Sequence, residues 1–409
     1  FSVFTSLHKF RIVSLVLSFI VTGVIAVTLF EVGLRHWRAD LNYERSYRKA
    51  HCFDGPYLVL CPNTKGSYLR PGGSYWQMTT DERAERINPG SFKEQSATEP
   101  ANTMKNKKTK IWWIGDSITM GYLLHDNETA PVLFSHYGFS VRNLGSDSLG
   151  SKGILYRLTK ALALQHNDRP AHIYWIYNTS DFPDDVKDHR FAANQLYWIA
   201  FRIHYELSRR SNLYLWLRSK PNDMNQLPPG FDQAPDDNHP TFANLLNIQS
   251  VIEAEGLSLT ILVYPGMHPA TNQPAVDDAT TQKLVRFLTD HRRFKNGRPI
   301  FDLIDMRPIF YEHAKHSQLY IVSDGHPNSN SSELFAKAAF GHFTKIKTES
   351  KQRAGLQLHC KHRSIPKERQ SMPNRQSRYG SKSQFASYSL ASIQVIKALL
   401  QEDRYSVIL

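Results

Sequence analysis

Three cysteines in 409 residues are too few for a disulfide framework. The chain has no Gly-x-x-x-x-Gly-Lys loop to cradle phosphates and no dinucleotide-type Gly-x-Gly-x-x-Gly turn, and no internal repeat is visible. Cys360 stands beside His359 and His362 in "LHCKH", too few ligands at too poor a spacing for zinc, so neither metal nor cofactor is expected. The main body also lacks a strong charge of one sign. The formal net charge is +13, yet eleven Lys or Arg against two acids, Glu349 and Glu368, lie between Lys345 and Lys382. That segment supplies +9 and leaves about +4 for everything else. It has few aromatics and no recognisable module, so it reads as a solvated tail or a contact for anionic lipid headgroups. No nucleic-acid partner is expected.

What is present begins with apolar residues. A hydrophobic content of 41% with 12% aromatics suits a globular chain. Ile12 to Phe30, "IVSLVLSFIVTGVIAVTLF", runs 19 residues without a charge. At about 1.5 Å per residue it spans roughly 28 Å, close to the thickness of a bilayer's hydrocarbon core. It ends in Phe30-Glu31-Val32, a poor cleavage site, so an uncleaved transmembrane anchor is expected rather than a removed signal. Lys9 and Arg11 precede the span, while Arg35, Arg38, Arg45, Arg48 and Lys49 follow it. The literal count favours a cytoplasmic main body. Long domains translocate largely regardless of such charges, and an extracytoplasmic domain is the expectation. Cys52 and Cys61, with the Gly55-Pro56 turn between them, pair if that holds and stay free thiols otherwise.

Residues 34–107 form a membrane-proximal region ending in a polar linker, "KEQSATEPANTMKNKKTK". A regular alternation follows. Strand-like runs occur at Lys110–Ile114, Phe139–Leu144, His172–Tyr177, Leu259–Tyr264 and Pro299–Ile304. Helical stretches separate most of them, among them "TAPVLFSHYG", "SKGILYRLTKALALQ" and "TQKLVRFLTDHRRF". Apolar strands without clean polar alternation, each followed by a helix, imply a parallel sheet covered on both faces, whose ligands sit at the carboxyl ends of the strands. An aromatic-rich helical stretch over residues 189–219 and a Pro/Asn/Asp-rich segment over 220–240 interrupt the pattern. They read as a packed helix and a loop, or alternatively as a lid at the site's rim. After about Lys347 the periodicity stops, and 348–409 is expected to be a basic, disordered tail.

Gly115-Asp116-Ser117 occupies the end of the first of these strands. A serine hydroxyl there is either a nucleophile or part of a polar turn. As a nucleophile it needs a base, usually His oriented by a carboxylate. "SDGHPN" supplies Asp324 and His326 after the last strand, and Pro327 holds His326 to extended backbone. The pair "IGDSITMGY" and "SDGHPN", framed by "DNETAP", "NLG" and "LTILVYPG", resembles the SGNH, or GDSL, hydrolase family over about 108–347. "TTDERAERINPGSF" behind an apolar helix looks like membrane-anchored bacterial members.

The resemblance implies a flavodoxin-like three-layer α/β/α fold with a five-stranded parallel sheet, preceded by a transmembrane helix over 1–33. It implies Ser117 as nucleophile, His326 as general base and acid, and Asp324 as its orienting carboxylate. The family places that Asp three residues before the His, where this chain has Ser323, so Asp324 is alternatively a cap of its loop. The oxyanion-hole slots fall on Ser148, with Gly150 two residues on, and on Ser180, whose hydroxyl replaces the family's amide donor unless Asn178 reaches in from two residues earlier. The implied activity is that of a serine esterase on O-acyl esters, with acetyl groups on carbohydrate among the candidates. Acyl transfer to a surface polysaccharide and a non-catalytic binding domain are the alternatives. The expected partners are an acyl-ester substrate, such as an acylated glycan, and membrane lipid around the N-terminal helix.

Overall fold

The computed structural model describes residues 2–70, 73–87, 108–164, 169–218, 235–268, 271–275, 278–295, 298–321 and 324–362. The linker over 93–107, the loop over 219–234 and the tail beyond 362 lie outside them.

The chain begins with α1 (Ser2–Trp37), in which Val13–Trp37 is long and apolar enough to cross a membrane. Helix α2 (Ala39–Arg48) follows, then two hairpins: β1 (His51–Asp54) with β2 (Tyr57–Leu60), and β3 (Lys65–Leu69) with β4 (Tyr75–Thr79). The membrane-proximal region is therefore built of regular elements with its own buried cluster. Tyr47, Tyr68, Trp76 and Met78 pack there against Met120 and Leu123 of the main domain. Composition hid this because the hairpin strands are short and their tight turns look like loop sequence. Cys52 and Cys61, 4.9 Å apart at Cα, form a disulfide that closes the first hairpin.

The main sheet contains β5 (Lys110–Gly115), β6 (Ser140–Asn143), β7 (His172–Tyr177), β8 (Leu259–Val263) and β12 (Arg298–Asp305), all parallel. Their order across the sheet is β12-β8-β7-β5-β6, the flavodoxin-like arrangement expected. The expected strands are present within a residue or two of their predicted bounds. A sixth strand, β11 (Arg293–Lys295), pairs antiparallel with β12 at the sheet edge, in a stretch whose sequence continues a helical pattern. Two minor strands, β9 (Met267–His268) and β10 (Gln273–Pro274), form a separate hairpin.

Alternation along the buried strands distributes the core. Trp112, Ile114, Trp175 and Tyr177 face one side, where α5 (Ser151–Leu164), α9 (Pro240–Ala254) and α10 (Ala279–Asp290) cover them. Ile111, Trp113, Tyr174 and Ile176 face the other, under α4 (Ala130–Ser135), α11 (Arg307–Ala314) and α12 (Ser329–His362). Helix α12 continues past Lys347, where a disordered tail was expected to begin. Lys, Arg, Gln and Glu are good helix formers, and the lost apolar period removed the packing signal without removing propensity.

The stretch 189–219, expected as one helix, is divided among the end of α6 (Asp181–Ala193), α7 (Gln195–Ser208) and α8 (Asn212–Arg218). Helices α7 and α8 pack against the N-terminal module. Tyr205 meets Phe53 at 5.6 Å between ring centroids and donates its hydroxyl to Arg48 O at 3.0 Å.

Candidate active site

The site lies at the carboxyl end of β5. Its neighbours β6 and β7 lie on opposite sides of it, which makes this strand end the point where the strand order reverses, the place where such sheets bind ligands. Gly115 ends the strand at φ +146°, and a Cβ there would come within 2.1 Å of Thr119 Oγ1. Only glycine allows so abrupt a strand-to-helix turn. Asp116 then caps the one-turn helix α3 (Ser117–Met120), accepting the Ile118 N–H at 2.9 Å, and Gly121 closes it in the left-handed region. Ser117 is thus the first helical residue, and it is buried.

The second half arrives from the loop before α12. Gly325, at φ +86°, turns the chain so that Ile321 N–H binds His326 O at 2.8 Å and Tyr320 bridges to Pro327. His326 Nε2 comes to 3.0 Å from Ser117 Oγ. On the other ring nitrogen, His326 Nδ1 is hydrogen-bonded to Asp324 Oδ1. The two-residue spacing of Asp324 and His326 therefore closes the contact, because the tight turn at Gly325 brings the carboxylate under the ring. Ser323 lies outside the described residues. Burial pushes the His326 imidazole down, but the hydrogen bond and charge of Asp324 outweigh it, and His326 titrates above its ordinary value.

The remaining predicted residues divide. The Ser180 hydroxyl lies 3.5 Å from Asp116 Oδ2, the oxygen that is 3.4 Å from Ser117 Oγ, so it stands beside the serine. Asn178 turns its Oδ1 onto the Ser180 N–H and so shapes the loop after β7. Ser148 adopts φ +57°, and its carbonyl accepts from Lys187 Nζ at 2.6 Å. Gly150 is pressed against α6, where an added Cβ would lie 2.6 Å from Asp185 Oδ1. Gly145, in the "NLG" stretch, makes the close approach to the serine helix: a Cβ there would fall 2.3 Å from Met120 N.

Several residues at the site escaped sequence reasoning. Tyr122 packs edge-on against His326 at 4.7 Å, and its hydroxyl lies 3.0 Å from that of Tyr43 in α2. Tyr47, also in α2, donates to Asp147 Oδ2 at 3.1 Å. Arg86, from "TTDERAERIN", is buried with its Nε 3.0 Å from Asp126 Oδ1, and its guanidinium binds the carbonyls of Gln77, Met120, Gly121 and Leu124. It thereby ties β4 to the loop leaving the serine helix. An arginine in a polar motif carries no signal of burial, whereas Tyr122 sits inside the quoted first block.

Buried carboxyls adjoin the serine. Burial pushes Asp116 up to about 7, against the pull of the Ile118 N–H. Asp181, wholly buried, is raised by desolvation and then by Asp116.

No family model and no curated protein matches the chain. Among solved structures it is similar to a member of the lipolytic protein G-D-S-L family from Veillonella parvula DSM 2008, at 15% identity and a TM-score of 0.37, over 58% of this chain and 100% of that one. It is similar to a psychrotrophic esterase from Pseudoalteromonas sp., at 15% identity and a TM-score of 0.33, over 58% and 97% of the two chains. A GDSL-like lipase from Bacteroides thetaiotaomicron VPI-5482 aligns at 12% identity and a TM-score of 0.29, over 64% and 96%.

Proposed function

We propose that the protein is a membrane-anchored serine esterase of SGNH/GDSL type that hydrolyses O-acyl esters through an acyl-enzyme on Ser117. One observation carries the proposal: Ser117 Oγ, His326 and Asp324 form a continuous hydrogen-bonded chain, 3.0 Å at the Ser–His step. With its proton on Nδ1 toward Asp324, the imidazole presents Nε2 as the acceptor for the serine proton. Ser117 Oγ attacks the ester carbonyl as His326 takes that proton. The tetrahedral oxyanion is held by the Ser117 and Ser148 N–H groups and the Ser180 hydroxyl. His326 returns the proton to the leaving alcohol, then deprotonates the water that releases the acid.

Helix α1 serves as the anchor. The Cys52–Cys61 bridge supports an extracytoplasmic catalytic domain, since disulfides persist in oxidising compartments. An acylated glycan is the substrate class we favour. A glycan hydroxyl in place of water would make the same acyl-enzyme a transferase, and product analysis with a glycan acceptor separates the two.

The test uses a fluorophosphonate probe and p-nitrophenyl acetate on the full chain. Wild type should label and turn over, and Ser117→Ala should do neither. Labelling that persists in Ser117→Ala removes the assignment.

A further inference from the structure

Helix α7 carries apolar residues on two sides. One side packs inward through Phe201 and Tyr205 against Phe53. The other presents Leu196, Ile199, Ile203 and Leu207, spaced by three, four and four residues and therefore in one stripe. This stripe is solvent-facing, with Leu196 76% and Ile203 55% exposed. An interior helix does not leave such a stripe open, and a solvated one does not need it.

Its location says what covers it. The α7–α8 connection is fastened to the end of α1: Glu31 accepts from Ser211 Oγ at 2.9 Å, Asn212 N at 3.0 Å and Leu213 N at 2.7 Å. Helix α8 then runs back along α1, bringing the Trp216 ring to 5.5 Å from Phe30, the last residue of the uncharged apolar run. Trp216 and Leu217 are themselves exposed, so the stripe and the end of α8 border the place where α1 leaves its apolar stretch. Tryptophan favours that depth of a bilayer. Arg218, exposed at the end of α8, borders the patch with charge suited to anionic headgroups, while Arg210, also exposed, is paired with Glu206 at 3.0 Å.

We propose that α7 and α8 form a membrane-interface platform. Their exposed apolar face lies in the headgroup–acyl boundary of the bilayer that α1 crosses, and it fixes the height and tilt of the catalytic domain above the lipid. The α7–α8 surface is thus a second lipid contact, distinct from the span. The inference rests on the anchor reading of α1.

The test is site-directed spin labelling of the full chain, with Cys360→Ser and the native disulfide kept, in vesicles of phosphatidylcholine with phosphatidylglycerol. Single nitroxides are placed through Ile20→Cys in α1, Ile199→Cys and Ile203→Cys on the stripe, and Glu253→Cys on the exposed side of α9. Collisions with oxygen and with a water-soluble nickel chelate are measured. The expected result is an oxygen-to-nickel ratio severalfold higher at Ile20, Ile199 and Ile203 than at Glu253. Stripe labels that behave like Glu253 while Ile20 remains in lipid overturn the platform and leave the anchor standing. A water-accessible Ile20 overturns both. Stripe labels shielded from both reagents mean that protein covers the face, from a second copy or from elsewhere in this chain, and also overturn the proposal.

Discussion

The ring of Tyr122 stands edge-on to the imidazole of His326, 4.7 Å between centroids, with its hydroxyl 3.0 Å from that of Tyr43. One aromatic side chain from the loop leaving the serine helix thus touches both the histidine and the helix that follows the apolar segment. The N-terminal module is a wall of the site rather than a spacer beneath it.

On the proposed esterase reading, that contact would make Tyr122 a positioning residue. Tyr122→Phe keeps the ring and loses only the link to Tyr43, and should keep kcat/KM within a few-fold. Tyr122→Ala frees one face of the imidazole and should lower kcat/KM on the order of 10²-fold, the scale of an ångström-sized misplacement. Circular dichroism of both variants should match wild type. Equal activities in the two variants would dismiss the ring as a support.

The Asp324–His326 contact sets a pH dependence. Attack needs neutral imidazole, and Asp324 raises the His326 pKa above its ordinary value despite burial. The acid limb of kcat/KM should therefore lie above about 6.5. Asp324→Asn should move it down and lower kcat by about 10⁴-fold. For stability, a raised histidine pKa gives a contribution fully present below the unfolded value and lost as pH rises through the folded one. A limb that stays put in Asp324→Asn contradicts the assignment.

Asp116 has the opposite chemistry and the same sign. Burial raises its carboxyl from 3.8 to about 7, so the neutral acid is the form the fold prefers. Its contribution is complete below pH 3.8 and declines as pH rises through about 7. Asp116→Asn retains an acceptor for Ile118 N–H and removes the ionisation. Its urea midpoint should fall less than that of wild type between pH 4 and pH 8. Parallel profiles of the two midpoints would refute it.

Arg86 is the structural counterpart. Arg86→Met leaves Asp126 without its cation and takes the donors from four backbone carbonyls, which should destabilise by about 3–5 kcal/mol. Arg86→Lys should restore little, since one ammonium replaces a planar fork of five donors. Urea unfolding measures both. A loss below about 1 kcal/mol in Arg86→Met would place the guanidinium outside the stabilising network.

The sheet and the serine were legible because both are local signals. Apolar runs of strand length, helical periods between them and a glycine-led turn after β5 are determined by a few consecutive residues. His326 was legible through its proline for the same reason. The antiparallel edge strand β11 was not, because Arg293–Lys295 take their conformation from β12 rather than from their own pattern. Nor was the wall formed by α2 and the two hairpins, since Tyr43 and Tyr47 lie in the membrane-proximal region, where the sequence marks no element, and only the fold sets them against Tyr122 and Asp147. The sequence by itself determined which strands form and which side chains could react. Only the tertiary structure decided that Asp324 reaches His326, that His326 reaches Ser117, and that the N-terminal module is linked to the histidine through Tyr122. Those contacts join segments far apart in the chain, where pairing depends on the packing of the whole sheet and leaves no period in the residues that make it.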